Sequence, residues 1–205
     1  MSNQNQSWGI LPTQQDEDNT RAHAVSDPAG YHAGIAGREL HWFDGDTQSW
    51  ISQTDTGEWA GWHDRDASSA HADASWQPWS HPLADSLAPY YRWFVDGQTN
   101  ACFNLIDRHV LSGRGDQIAI VFEGDRWDPS KNDGRGGPVH EQRVTYRELL
   151  VEVALRTRVL KQADLSCGDR VALNLPNVLE QIFYILACQR LGVISVSYTH
   201  LTLPT

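Results

Sequence analysis

The stretch Arg170–Ile194 (RVALNLPNVLEQIFYILACQRLGVI) decides the fold. Arg170–Leu175 is a short apolar run of the kind that forms a buried strand, and Pro176-Asn177 turns the chain. From Val178 to Leu191, the residues Leu179, Ile182, Phe183, Leu186 and Ala187 recur at three- and four-residue spacing, which is one face of a helix. Gly192 stands where a left-handed cap closes such a helix, and Val193-Ile194 begins another strand. Strand, helix and strand at this spacing predict a right-handed βαβ crossover feeding a parallel sheet. The fold class is therefore α/β, with an incomplete parallel βαβ sheet that has too few strands to cover itself.

Upstream, Thr145-Tyr146-Arg147-Glu148 has the spacing of a capping box, in which Thr145 and Glu148 satisfy each other's free backbone donors. The helix it opens places Leu150, Val153, Ala154, Thr157 and Leu160 on one face, with Arg156, Arg158 and Lys161 near its C-terminus to complement the dipole. Gln117–Glu123 and Arg143–Tyr146 read as short strands around a polar loop, Gly124–His140. Asn100–Leu111 predicts a helix capped by Asn100, with Phe103, Ile106 and Val110 facing the core.

Before Pro89 the signals weaken. Ser26-Asp27-Pro28 starts a short helix through Tyr31–Arg38. WFDGDTQSW carries an Asp-Gly turn between aromatic flanks, a hairpin signal. Residues 64–75 read as a solvated linker, and Trp42, Trp50, Trp59, Trp62, Trp76, Trp79 and Trp93 make this a Trp-rich leader of loops and helices. Residues 1–25 are polar and expected to be disordered.

With 205 residues, the chain holds one domain or one and a fraction. All of its net charge of −10 sits in residues 1–90, and residues 91–205 balance to zero, which speaks against a nucleic-acid or anionic-membrane surface. No run of about 18 apolar residues is present to span a membrane, and the N-terminus lacks a basic flank and an apolar core for secretion. The sequon Asn5-Gln6-Ser7 is then idle, and Cys102, Cys167 and Cys188 read as reduced thiols in a cytoplasmic protein.

Chemistry is sparse. Asn132–Pro138 (NDGRGGP) is the one glycine-rich loop, but a strand follows it instead of a helix start with Lys and Ser/Thr, so it reads as an exposed connection and not a phosphate cradle. Arg114-Gly115-Asp116 spells an adhesion tripeptide but sits between a helix and a strand. His71-Ala72-Asp73 is too little for a metal. Cys102 and Cys188 fall among apolar helical residues and read as inert packing. The tryptophans suggest either an aromatic core or a ligand groove. No catalytic, cofactor-binding or metal-ligating residue can be assigned.

The last ten residues, Val196–Thr205 (VSYTHLTLPT), match one reading frame of a transposase adapter used to build sequencing libraries, GTC TCT TAT ACA CAT CTG ACG CTG CCG ACG. We expect the natural sequence to end near Ser195 and exclude the tail from the functional reading.

Two blocks carry a family resemblance. Tyr91–Val110 (YRWFVDGQTNACFNLIDRHV), followed by Gln117–Asp125, resembles the entry segment of the AMP-forming acetyl-CoA and propionyl-CoA synthetases. Val144–Leu150, Gly168–Asn177 and Leu186–Ile194 are similar to the first core elements of the adenylate-forming superfamily. The Trp-rich leader and the insertion RWDPSKNDGRGGP resemble the ligase part of propionyl-CoA synthase, a fusion with enoyl-CoA hydratase and reductase parts. The resemblance implies residues 26–95 as the acetyl-CoA-synthetase-type N-terminal region and 96–195 as the truncated start of an AMP-binding domain. It also implies a parent ligase that uses ATP, CoA and Mg²⁺ on a small carboxylic acid. The family's phosphate loop, adenine pocket and catalytic lysine would lie beyond Val193, so none maps onto a residue here, and no bound cofactor is expected. An autonomous, non-catalytic aromatic-rich binding module is the second reading.

Overall fold

The strand, helix and strand expected around Pro176 are present in the computed structural model, which describes residues 13–44, 49–53, 59–61 and 78–197. The chain divides into two compact units, residues 1–99 and 100–205. The sequence reading put the break after residue 95.

In the first unit, α1 (Gln14–Ser26) replaces part of the disorder expected for residues 1–25. Its cause is local. The Thr13 side chain accepts from the Asp16 amide, Asp16 and Glu17 occupy the positive N-terminal turn, and Arg21 pairs with Glu17 at 2.7 Å. α1 buries no residue, so these contacts within the helix are what favour it. Asp27 then caps α2 (Pro28–Glu39), accepting from the Gly30 amide at 2.9 Å with Pro28 in the first turn, as the Ser-Asp-Pro signal predicts.

β1 (Trp42–Asp44), β2 (Ser49–Gln53) and β3 (Trp59–Gly61) form an antiparallel sheet in which Phe43 faces Trp50. The Asp-Gly turn expected between β1 and β2 lies outside the described residues, as do the sequon, the 64–75 linker, Trp62, Trp76 and His71. β4 (His81–Ala84) pairs antiparallel with β5 (Arg92–Val95). Trp42, Trp79 and Ala36 form the core of this unit, with Phe94 packed against it. The ring centroids of Trp42 and Trp79 are 4.9 Å apart, edge to face, and the Trp42 indole N–H donates to the Ala36 carbonyl at 3.0 Å. Gly97 is obligatory here, because a Cβ would lie 2.8 Å from the Trp42 ring.

The second unit opens with a helical segment that differs from the expected α-helix. It contains two π-turns, Phe103–Asp107 and Val110–Arg114. The wider turns rotate the buried stripe, so Cys102, Asn104, Ile106 and His109 are buried where Phe103, Ile106 and Val110 were expected. β6 (Ile118–Glu123) pairs antiparallel with β9 (Glu141–Thr145). Between them, the expected plain loop forms a small hairpin of β7 (Trp127–Asp128) and β8 (Gly137–Pro138), joined through the single turn α3 (Lys131–Gly134). Asn132 and Asp133 adopt left-handed backbone there, which these two residue types tolerate.

α4 (Tyr146–Gln162) has both halves of the predicted capping box, with Thr145 accepting from the Glu148 amide and the Glu148 carboxylate accepting from the Thr145 amide at 2.8 Å. Its buried face is Leu149, Val153, Thr157 and Leu160, so Leu149 takes the place expected for Leu150, which is half-buried, and Ala154 is exposed. β10 (Arg170–Leu173) leads to α5 (Leu179–Leu191) and β11 (Ile194–Ser197), and β10 and β11 pair in parallel with Arg170 opposite Ile194. β10 is less buried than predicted, only Leu173 being enclosed, because β11 is its one sheet neighbour among the described residues. On α5, Gln181 is buried and Ile182 exposed, against expectation, since Gln181 reaches back to the Leu175 carbonyl. Leu149, Val153, Leu160, Phe183, Leu186, Ala187 and Val193 make the core between α4 and α5.

Candidate functional site

The densest chemistry in the second unit lies where α5 ends against the helical segment after Asn100. The Asn100 Oδ1 accepts from the Phe103 amide at 3.0 Å, starting one helix, while its Nδ2 donates to the Arg190 carbonyl at 3.1 Å, closing another. Arg190 donates through both terminal nitrogens to Asp107, at 3.1 and 2.5 Å, with side chains 25% and 17% exposed. Such a fork-to-carboxylate pair fixes direction as well as distance. Burial opposes the charge of Arg190, but its hydrogen bond to Asp107, together with Cys102 and the Asp107 charge, outweighs burial and holds the guanidinium above its ordinary range.

Cys102 is fully enclosed beside this pair. Burial pushes its thiol up, with Arg190 pulling the other way and Asp107 adding to the rise. Burial likewise raises the Cys188 thiol. A thiol kept protonated is a poor nucleophile, and the carboxylate near Cys102, Asp107, is held by Arg190. Both cysteines therefore pack as the sequence suggests. Cys167 is exposed, and its sulfur stands 2.7 Å from where a Cβ on Gly192 would be, at a glycine with φ of +71°.

The Arg-Gly-Asp tripeptide is a structural joint. Arg114 donates to His109, the Gly115 carbonyl accepts from the Arg147 amide at 2.9 Å, and Asp116 accepts from the Arg147 side chain at 3.2 Å. The glycine-rich loop closes on itself. Lys131 donates to the carbonyls of Pro138 and Val139, the Asn132 side chain to the Gly136 carbonyl at 2.9 Å, and the Gly136 amide to the Lys131 carbonyl at 2.9 Å. The Trp127 ring covers Gly136 so closely that no Cβ fits. A cation already held by two carbonyls does not present itself to a phosphate.

Among the described residues no group of three or more His, Cys, Asp or Glu could hold a metal, and no helix is long and apolar enough to cross a membrane. Of the described tryptophans, Trp42 and Trp79 serve as core, while Trp93 and Trp127 are exposed. What sequence reasoning missed is the Asp107–Arg190 pair and the Arg114–His109 contact. Each member is visible in the sequence, but the first pairing spans 83 residues and carries no local signal, and the second depends on the π-turns that bury His109.

Two family models match successive stretches of the chain. One, described as the acetyl-coenzyme A synthetase N-terminus, covers residues 67–105. The other, described as AMP-binding enzyme, covers residues 108–202. Over residues 67–202 the chain is thus similar to acyl-CoA synthetases. The AMP-binding match begins one residue after Asp107, includes Arg190 and runs on into Val196–Thr205, the adapter-like segment. Among similar proteins, the acetyl-coenzyme A synthetase of Methylobacillus flagellatus is 40% identical over 129 residues, 62% of this chain and 18% of that protein. That of Mycobacterium tuberculosis (strain H37Rv) is 40% identical over 120 residues, 56% of this chain and 17% of that protein. The solved acetoacetyl-CoA synthetase from Streptomyces lividans is 24% identical with a TM-score of 0.48, over 59% of this chain and 17% of its own. The chain thus spans under a fifth of the length of these relatives.

Proposed function

We propose that this chain is scaffold from an AMP-forming acyl-CoA ligase that joins a short acid to CoA. The acid's carboxylate oxygen attacks the α-phosphorus of ATP and diphosphate leaves, giving an acyl-adenylate. The CoA thiolate then attacks the acyl carbon and AMP leaves. The observation that carries this reading is the order of the two family matches, the synthetase N-terminus at 67–105 followed at once by the AMP-binding match at 108–202. Acetate, propionate and 3-hydroxypropionate are the candidate acids. The Trp-rich leader and the Trp127 hairpin favour the ligase part of a propionyl-CoA synthase within that set.

Within such an enzyme, the residues described here frame a centre and do not react. The Asp107–Arg190 pair and Asn100 fix the end of α5, and with it the point where β11 starts. Neutralising phosphate charge with Mg²⁺ and donor groups, as this reaction requires, falls to parts of the enzyme other than these. The setting is the cytoplasm. An autonomous binding module is the competing reading, resting on the density of tryptophans. Reading the coding DNA beyond codon 195 and assaying the longest continuous product distinguishes them. An open frame whose product forms AMP in the presence of ATP, CoA, Mg²⁺ and one of the three acids is expected. A genuine stop with no adapter bases, and a product that forms no AMP, would favour the binding module.

A further inference from the structure

The Arg114–His109 contact plays no part in the proposed reaction, and its geometry carries an inference of its own. We propose that His109 is a neutral latch between the helical segment ending at Arg114 and the N-terminus of α4, and that a proton on its ring opens the latch.

His109 is buried, at 8% exposure. Its ring Nδ1 meets the Arg114 guanidinium, and its centroid lies 4.6 Å from that of Tyr146, the first residue of α4. Arginine is only a donor and keeps its charge at any working pH. Nδ1 must therefore accept, which places the ring hydrogen on Nε2 and leaves the imidazole neutral. The joint is continued by neighbouring bonds. Arg114 Nε donates to Ser112 Oγ at 3.3 Å, and Ser112 Oγ donates to the His109 carbonyl at 3.1 Å. Gly113, at φ +78°, ends the helix. The Gln117 amide donates to the Arg114 carbonyl at 3.0 Å, the Tyr146 amide to the Gln117 carbonyl at 3.0 Å and the Arg147 amide to the Gly115 carbonyl at 2.9 Å.

A proton on Nδ1 would turn this acceptor into a donor facing a donor. It would also place a third cation beside Arg108 and Arg114. The described carboxylates on the elements packed here are engaged elsewhere. Asp107 is held by Arg190, Asp116 by Arg147, and on α4 the Glu148 carboxylate is turned to Thr145. Burial first, then Arg114 and Arg108, hold the His109 ring down to about 4, against 6.5 for a free histidine. The sign follows. A ring that stays neutral when latched but titrates normally when released gives a latch fully stable above pH 6.5, weakening as pH falls towards 4. Opening should then rise by up to about tenfold per pH unit across that window.

The test is a histidine-resolved NMR titration of the full chain between pH 7.5 and 3.8, with amide exchange followed alongside. At neutral pH we expect the His109 ring as the Nε2–H tautomer, with its titration displaced to near 4. Relative to the amides of β10 and β11, the protection of Gln117, Tyr146 and Arg147 should fall up to about tenfold per pH unit below 6.5. His109→Gln, whose amide oxygen can accept but does not titrate, should hold that protection flat. A His109 ring titrating near its ordinary value would overturn the latch. So would an Nδ1–H tautomer, a loss of protection shared equally across residues 100–197, or an unchanged pH slope in His109→Gln. If the variant fails to fold, the tautomer and titration of the unaltered chain still decide.

Discussion

Replacing Asp107 with alanine should detach the helical segment after Asn100 from the end of α5. The substitution removes two charge-assisted hydrogen bonds, at 3.1 and 2.5 Å, and strands the Arg190 guanidinium in a site that leaves a quarter of its side chain exposed. Exposed ion pairs contribute about 0.2–1 kcal/mol, whereas breaking a buried pair from one side costs about 3–5 kcal/mol. With both partners three-quarters or more enclosed, a loss of about 2–3 kcal/mol is expected. Asp107→Asn keeps one acceptor oxygen and should cost roughly half of that. Arg190→Lys keeps the charge but not the fork, and should recover little of the pair. Because the chain holds two compact units, the assay has to resolve them. Urea titration followed by hydrogen exchange at the amides of α5 does so. A loss below about 0.5 kcal/mol in Asp107→Ala would refute this reasoning and place the pair among screened surface contacts.

Other expectations follow from the same geometry. Gly192→Ala puts a Cβ in left-handed backbone and 2.7 Å from the Cys167 sulfur, so a destabilisation of about 2 kcal/mol should appear in thermal or urea melts and be partly relieved by Cys167→Ala. Thr145→Ala should cost about 1 kcal/mol by leaving the first turn of α4 uncapped. The backbone and side-chain bonds from Thr145 hold the Glu148 carboxyl below its usual value of 4.5, so its contribution is complete above pH 4.5 and lost as pH falls through the depressed value. Glu148→Gln should flatten that acid slope when stability is measured against pH. Deleting Val196–Thr205 removes two of the four residue pairs between β10 and β11. If the tail is adapter-derived, stability should change by less than about 1 kcal/mol, and a larger loss would mark it as a native element.

Local signals are reliable where the physics is local. The capping box at Thr145, the Asp27-Pro28 helix start and the Gly192 cap each depend on residues within a turn of one another, and each forms as expected. The parallel pairing of β10 with β11 follows from the alternation of apolar run, helix and apolar run. The readings fail where a non-local contact redirects a face. The π-turns rotate the stripe that periodicity assigned to Phe103 and Val110, and bury His109 against Tyr146. Gln181 is drawn inward by a carbonyl six residues away. α1 was missed for the opposite reason, since a polar helix that buries nothing leaves no hydrophobic period to detect. At the candidate site, a single sequence shows Asp107, His109, Arg114 and Arg190 but not which of them meet.

The proposal that this chain frames a ligase centre without containing it is tested most directly by its own turnover. Purified chain is incubated with ATP, CoA and Mg²⁺ and with acetate, propionate or 3-hydroxypropionate in turn, and AMP is measured against a boiled control. With both buried thiols held protonated and Lys131 engaged by carbonyls, no described residue is poised to stabilise a transferring adenylate. We predict no AMP above the control with any of the three acids. Reproducible, acid-dependent AMP release by the purified chain would contradict it.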